Sequence, residues 1–276
     1  MIVGQDSIMP SKPIALRYTD EGRGPPLVFL HGFPFTRQVW QKQVEALRSF
    51  YRVIAPDLRG FGESEATAGP TTMDEYATDV RALLTRLTTA KVVLVGHSMG
   101  GYVALAFARR FPALLRGLVL VSTKAGPDSA EAAAGRRAMA DSVKASGVRV
   151  VVDAVAPKML APGSQDARMA GEVRAFMAAS KPAGVIAALL GMAERPDATA
   201  FLAQVAVPTL IVTGADDALI APAESQAMAL AIPGAQVKVI PRAGHLVAFE
   251  QPGEFGRVFV EWLRERAVRD AQHHQH

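Results

Sequence analysis

Residues 91–110 read KVVLVGHSMGGYVALAFARR, a β-branched run that meets a helix-forming run across only five residues, Gly96-His97-Ser98-Met99-Gly100. A chain passing from strand to helix so abruptly bends through a turn in which side chains two positions either side of the apex would collide, and glycine stands at both places. Ser98, at the apex, is thereby expected in a strained backbone conformation. Its hydroxyl is presented at a helix N-terminus, where free N–H groups and the helix dipole favour developing negative charge. Both elements have faces to bury, so the turn also implies a larger parallel sheet wrapped by helices.

The rest of the chain supplies that sheet. Aliphatic runs at 27–30, 52–55, 92–95, 118–121 and 210–213 predict strands buried on both faces, and 237–240 predicts one more. Residues 73–87, 102–111 and 253–268 have helical periodicity. One stretch interrupts the alternation. From 125 to 197 the sequence is rich in Ala, Met and charged residues, is broken by Pro157, Pro162 and Pro182, and contains no strand pattern except the short GVRVVV at 147–152. The reading is a core made of 1–124 and 198–276 with a helical cap at 125–197, above the carboxyl ends of the strands where open α/β sheets bind ligands.

Composition narrows the function classes. With 276 residues, half of them hydrophobic, the chain suits one large core with an elaborated insertion. No apolar run approaches the roughly 18 residues of a spanning helix, and the start has no signal-peptide pattern, so a cytoplasmic protein is expected. There is no cysteine, which excludes disulfides, thiolate metal sites and a cysteine nucleophile. The 30 basic and 26 acidic residues are interspersed, which argues against a nucleic-acid or membrane partner and leaves self-association open. No metal-ligand spacing appears, no cofactor is expected, and the histidine-rich end at 272–276 reads as frayed or appended, at most an adventitious metal site.

A serine hydroxyl needs a base within hydrogen-bond reach to act as a nucleophile. Of six histidines, His273, His274 and His276 lie in the tail, His97 beside Ser98 should project away from it, and His31 sits in a strand-to-loop turn. His245, on the loop after the strand at 237–240, is left. A carboxylate must then orient the imidazole, and Asp216 and Asp217, following the strand TLIVT, both qualify by position. Two backbone N–H groups must receive the oxyanion: Met99, just after the nucleophile, and Phe33, in the loop His31-Gly32-Phe33-Pro34, where proline has no N–H to give. Asp57 and Arg59, in DLRGFGES, are expected to brace neighbouring loops through an ion pair or backbone hydrogen bonds.

The segments LVFLHGFPFTRQVW, VIAPDLRGFGES, VVLVGHSMGGYVALAFARRFP, PTLIVTGADDALIAP and IPRAGHLVAFEQP together resemble the α/β-hydrolase superfamily, in its branch of small bacterial serine esterases and enol-lactone hydrolases. The resemblance spans nearly the whole chain. It implies an α/β-hydrolase fold with a cap between the sixth and seventh strands, and it places the triad acid three residues after Gly214, at Asp217. Gly244, His245, Glu250 and Pro252 match the family's histidine context, and Ser98 sets the chain apart from the relatives that use an aspartate nucleophile.

The expected activity is hydrolysis of a small-molecule carboxylic ester through an acyl-enzyme, with Ser98, Asp217 and His245 as triad. The alternatives are an enol-lactone or carbon–carbon bond hydrolase with the same triad, or a ligand-binding protein that retains it. Met139, Met159, Met169, Met177 and Met192 in the insertion suggest an adaptable apolar pocket and a preference for uncharged substrates.

Overall fold

The computed structural model describes residues 12–164 and 166–273, with side chains as far as Glu265; residues 274–276 of the histidine-rich end lie outside the described residues. Every expected aliphatic run is a strand of one sheet. In chain order these are β1 (Tyr18–Glu21), β2 (Pro26–Leu30), β3 (Arg52–Pro56), β4 (Val92–His97), β5 (Leu115–Val121), β6 (Thr209–Gly214) and β7 (Gln236–Ile240). They lie side by side in the order β1-β3-β2-β4-β5-β6-β7, and all neighbours are parallel except β1 against β3. β4 and β6 are buried along their whole length, which is why their sequences show no polar alternation. β1 has no aliphatic run to betray it. It is a half-exposed, four-residue edge strand, Tyr18-Thr19-Asp20-Glu21, paired to β3 through its backbone and by an Arg52–Asp20 ion pair at 2.6 Å.

Helices α1 (Gln41–Leu47), α2 (Met73–Arg86) and α3 (Met99–Arg110) connect the first strands. α2 starts where Thr72 and Glu75 cap each other's backbone N–H groups. Ten of the twelve residues of α3 are buried, so the helix that follows Ser98 is a core element. After β5 come α4 (Ala130–Ser146), α5 (Arg149–Val155), α6 (Ala167–Ala178) and α7 (Pro182–Ala193); α8 (Pro222–Ala231) precedes β7, and α9 (Val247–Glu250) and α10 (Pro252–His273) close the chain. α10 packs on the sheet through aromatic rings, with Phe259 lying 5.9 Å from Phe29 of β2 and Phe255 lying 6.2 Å from Trp40, which precedes α1 and is itself 5.0 Å from Phe29.

One expectation needs correction. GVRVVV does not contain a strand, because Arg149–Val155 is helix. Val148, Val151, Val152 and Val155 recur at helical spacing and pack inward as one stripe, and this burial outweighs the strand preference of valine. Among the described strands the helical insertion follows β5 and precedes β6, and residues 1–11, ahead of β1, lie outside the described residues.

The insertion is tied to the core at several points. Ala198 N–H donates to Ala125 O (3.1 Å) across its base, Thr71 N–H to Ala187 O (3.0 Å), and Ser180 Oγ to Pro34 O (2.7 Å). The 57–64 segment braces its surroundings, but Asp57 and Arg59 each pair elsewhere. Asp57 accepts the backbone N–H groups of Arg37 (2.8 Å) and Glu63 (3.0 Å) and pairs with the Arg37 guanidinium. Arg59 forms a fully buried two-pronged ion pair with Asp79 of α2, both contacts at 2.7 Å. Among the described residues no single helix is long and apolar enough to cross a membrane.

Candidate active site

Ser98 stands between the end of β4 and the start of α3 with φ 52° and ψ −115°. That left-handed conformation costs a non-glycine residue on the order of 1–3 kcal/mol and persists only where the surroundings impose it. Here they do. Ser98 N–H donates to Val121 O of β5 (2.9 Å), while Thr123 Oγ1 (2.8 Å) and Gly101 N–H (2.8 Å) donate to Ser98 O. Two glycines make room: a Cβ on Gly96 would lie 2.3 Å from Gly100 O, and one on Gly100 would lie 2.5 Å from Leu30 O at the end of β2. The second approach brings α3 beside the loop that carries Phe33.

His245 follows β7, and its Nε2 lies 2.9 Å from Ser98 Oγ. On its other side Nδ1 faces Asp217, at 2.9 Å from Oδ2 and 3.1 Å from Oδ1. This arrangement sets the tautomer: Nδ1–H donates to the carboxylate, and the bare Nε2 accepts from the serine hydroxyl. The Asp217 side chain is fully buried. Burial works to raise its pKa, but the hydrogen bond to His245 and the N–H groups of Ile220 and Leu219, both 2.9 Å from Oδ1, hold it below the usual carboxylate range. Asp216, the other candidate, is exposed and makes no contact with the imidazole. The structure therefore brings Ser98, His245 and Asp217 together from three strand ends and leaves Asp216 outside.

Neither N–H expected to receive the oxyanion donates to another group among the described residues. Met99 is the first residue of α3, where an N–H has no intrahelical acceptor, and Phe33 stands in the loop after β2. A cavity of about 460 Å³ opens from Ser98 and His245 toward the insertion. Phe33, Tyr102 and Leu219 line it from the core side, and Met139, Met159 and Met192 from the insertion. Met177 is fully buried away from the cavity and Met169 lines a separate surface depression, so three of the five methionines face the site.

Residues 25–252 match the α/β-hydrolase fold family. The chain belongs to that family. Among solved α/β hydrolases it is similar to a thermophilic esterase from Thermogutta terrifontis, with 43% identity, a TM-score of 0.89 and coverage of 91% of this chain and 93% of the other. An enol-lactonase from Burkholderia xenovorans matches at 27% identity and TM-score 0.82, over 90% and 96% of the two chains. The 3-oxoadipate enol-lactonase 2 of Acinetobacter baylyi is 27% identical over 260 residues, 93% of this chain and 95% of that one. These likenesses make the chain a hydrolase in the broad sense.

Two residues that hold this α/β-hydrolase site together were not assigned that role from the sequence. Glu250 accepts Gly244 N–H (2.7 Å) and Ala161 N–H (3.1 Å), pinning the loop that carries His245. His97 was expected to point away from Ser98, and it does so by reaching beneath His245, where its Nε2–H donates to the His245 carbonyl at 2.9 Å. His97 Nδ1 is buried without a partner. Burial, and after it the neighbouring His245, push the His97 pKa down to about 3, and burial lowers His31 as well. The His97 ring stays neutral in the folded chain well below the pH, near 6.5, at which an unfolded histidine protonates. Below that pH the unfolded state binds more protons, so stability present above it is lost as pH falls toward the folded value. Urea unfolding at fixed pH is expected to show the free energy dropping, through His97, by roughly 1.4 kcal/mol per pH unit between about pH 6 and 4. His97→Asn, which keeps an N–H donor, should make that slope shallower by about one proton. An unchanged slope would assign the acid sensitivity to other groups.

Proposed function

We propose that the chain is a serine hydrolase cleaving carboxylic esters through an acyl-enzyme, and that residues 125–197 act as a cap selecting the substrate. The observation carrying this reading is the Ser98 Oγ–His245 Nε2 contact of 2.9 Å with Asp217 behind the imidazole. His245 takes the serine proton as Oγ attacks the ester carbon, and the N–H groups of Phe33 and Met99 receive the oxyanion. The imidazolium, stabilised by Asp217, then protonates the departing alkoxide. Water enters, loses its proton to His245 and attacks the acyl carbon, and collapse of that second intermediate returns the proton to Ser98 Oγ. A lactone would open by the same steps with its alkoxide still attached to the acyl group, and the enol-lactonases among the relatives support this as the second reading.

The test is release of p-nitrophenolate from acetyl, butyryl and hexanoyl esters. Turnover with a pre-steady-state burst is expected, and folded protein that leaves all three esters at the background rate would sink the proposal. Met139→Phe, Met159→Phe and Met192→Phe should each shift the preferred acyl length toward shorter chains by filling the cavity, by about tenfold in relative kcat/KM for one or two methylenes. Met177→Phe, away from the cavity, should leave the length profile in place; a profile indifferent to all four substitutions would take substrate selection away from the insertion.

A further inference from the structure

The cavity above Ser98 is lopsided in charge. Two of its lining side chains are ionisable at neutral pH with a fixed sign, Arg136 of α4 and Lys158 just after α5, and both are cations; no aspartate or glutamate lines it among the described residues. A mostly apolar chamber with cations and no carboxylate has no counter-charge of its own to offer them.

Behind the wall the imbalance continues. Asp128, with its side chain 2% exposed, is the shared counter-ion of Lys124 (3.8 Å), Arg136 and Arg195 (3.6 Å), so three cations stand around a single carboxylate. Burial tends to raise the Asp128 pKa, but the hydrogen bond from Arg136 and the charges of all three cations hold it below the usual range. The carboxylate is therefore ionised and shared by three cations, of which Arg195 also interacts with the exposed Asp197 on the side away from the cavity. Arg195 is itself buried, stacked 3.7 Å over the ring of Tyr102, with Nε and Nη1 lacking a hydrogen-bond partner. Tyr102 is part of the cavity wall. Arg136 directs Nε and Nη2 at Asp128, and its Nη1 has no acceptor among the described residues. Lys158 is exposed and makes no hydrogen bond or ion pair among the described residues.

We infer that the substrate carries an anionic group, a carboxylate, on the part that lies against the insertion, recognised by Arg136 and Lys158 while the apolar remainder fills the methionine-lined space. This rests on the hydrolase reading and deepens it. It runs against the preference for uncharged esters that the methionine content alone suggested, because the chamber is apolar in its body and cationic at one side. Asp128 takes up only part of the Arg136 fork, so the arginine is held in place with donor capacity to spare. The Arg195–Tyr102 stack behind it adds positive potential in a poorly solvated region, where charge is weakly screened.

The experiment compares pairs of p-nitrophenyl esters matched in acyl length and differing only at the far end: the monoesters of glutaric, adipic and suberic acids against pentanoyl, hexanoyl and octanoyl esters. The readout is the ratio of kcat/KM, anionic over neutral, in the wild type, Arg136→Gln, Lys158→Gln and the double variant. A charge-assisted hydrogen bond is worth about 1.5–3 kcal/mol, so at one chain length or more the ratio should fall by about tenfold or more per cation removed, and in the wild type it should fall with added salt. Lys158→Gln serves if Arg136→Gln disturbs the Asp128 cluster. The same ratio is measured as Kd by calorimetry on the Ser98→Ala background. Absence of turnover would thus defeat the ester-hydrolase reading and still leave the carboxylate preference measurable. A smaller change in the double variant at every chain length, in kcat/KM and in Kd, overturns the inference while the hydrolase reading stands.

Discussion

Replacing Ser98 by alanine is expected to lower kcat on p-nitrophenyl butyrate by about 10⁴-fold or more, and His245→Ala by a similar factor. The double variant should be little worse than either, because in the proposed mechanism one proton passes across the 2.9 Å between Ser98 Oγ and His245 Nε2, and removing either end abolishes the same step. The fold should survive both changes. Ser98 is only partly buried, and relief of its positive φ returns some stability to Ser98→Gly, which serves as a folding control. The measurements are kcat by stopped assay and the unfolding midpoint in urea. Near-normal turnover by folded Ser98→Ala protein, or losses that multiply in the double variant, would remove these residues from a common step.

The neighbouring aspartates should separate just as sharply. Asp217→Asn is expected to cost on the order of 10⁴-fold in kcat, since an amide facing Nδ1 can donate and would favour the tautomer with its proton on Nε2, where Ser98 needs an acceptor. Asp216→Asn should cost less than about tenfold, because its side chain is exposed and outside the relay. The two steady-state rates decide it. A loss centred on Asp216 would mean that the acid changes partner during turnover.

How much of this was readable beforehand follows from how far apart the interacting residues are in sequence. The Ser98 turn was plain because strand, turn and helix are contiguous. Asp217 needed the family resemblance, since spacing alone left Asp216 beside it as an equal candidate. The contact of His97 with the carbonyl of His245 joins residues 148 apart, and nothing local to Gly96-His97-Ser98 signals it. Arg136 is one of many charged residues on an alanine-rich helix, and its place on the cavity wall depends on how α4 packs, which no periodicity states. The GVRVVV run misled because its valines satisfy a helical stripe as readily as a strand, and β1 was hidden because a short polar edge buries too little to leave a pattern.

The carboxylate of Glu250 has a consequence for recombining this chain with its relatives. It accepts an N–H from each of two loops, Gly244 next to His245 and Ala161 inside the insertion, and Leu246 N–H reaches back to Met159 O at 2.9 Å. Residues 159–161 and 244–246 are thus two halves of one joint, although the first belongs by position to the insertion. A chimera that exchanges 125–197 wholesale discards half of the joint and frees the loop that aims the imidazole. One that exchanges 130–155 and 167–193 around a retained 156–166 keeps it, so the crossover points for shuffling specificity lie within the insertion rather than at its ends.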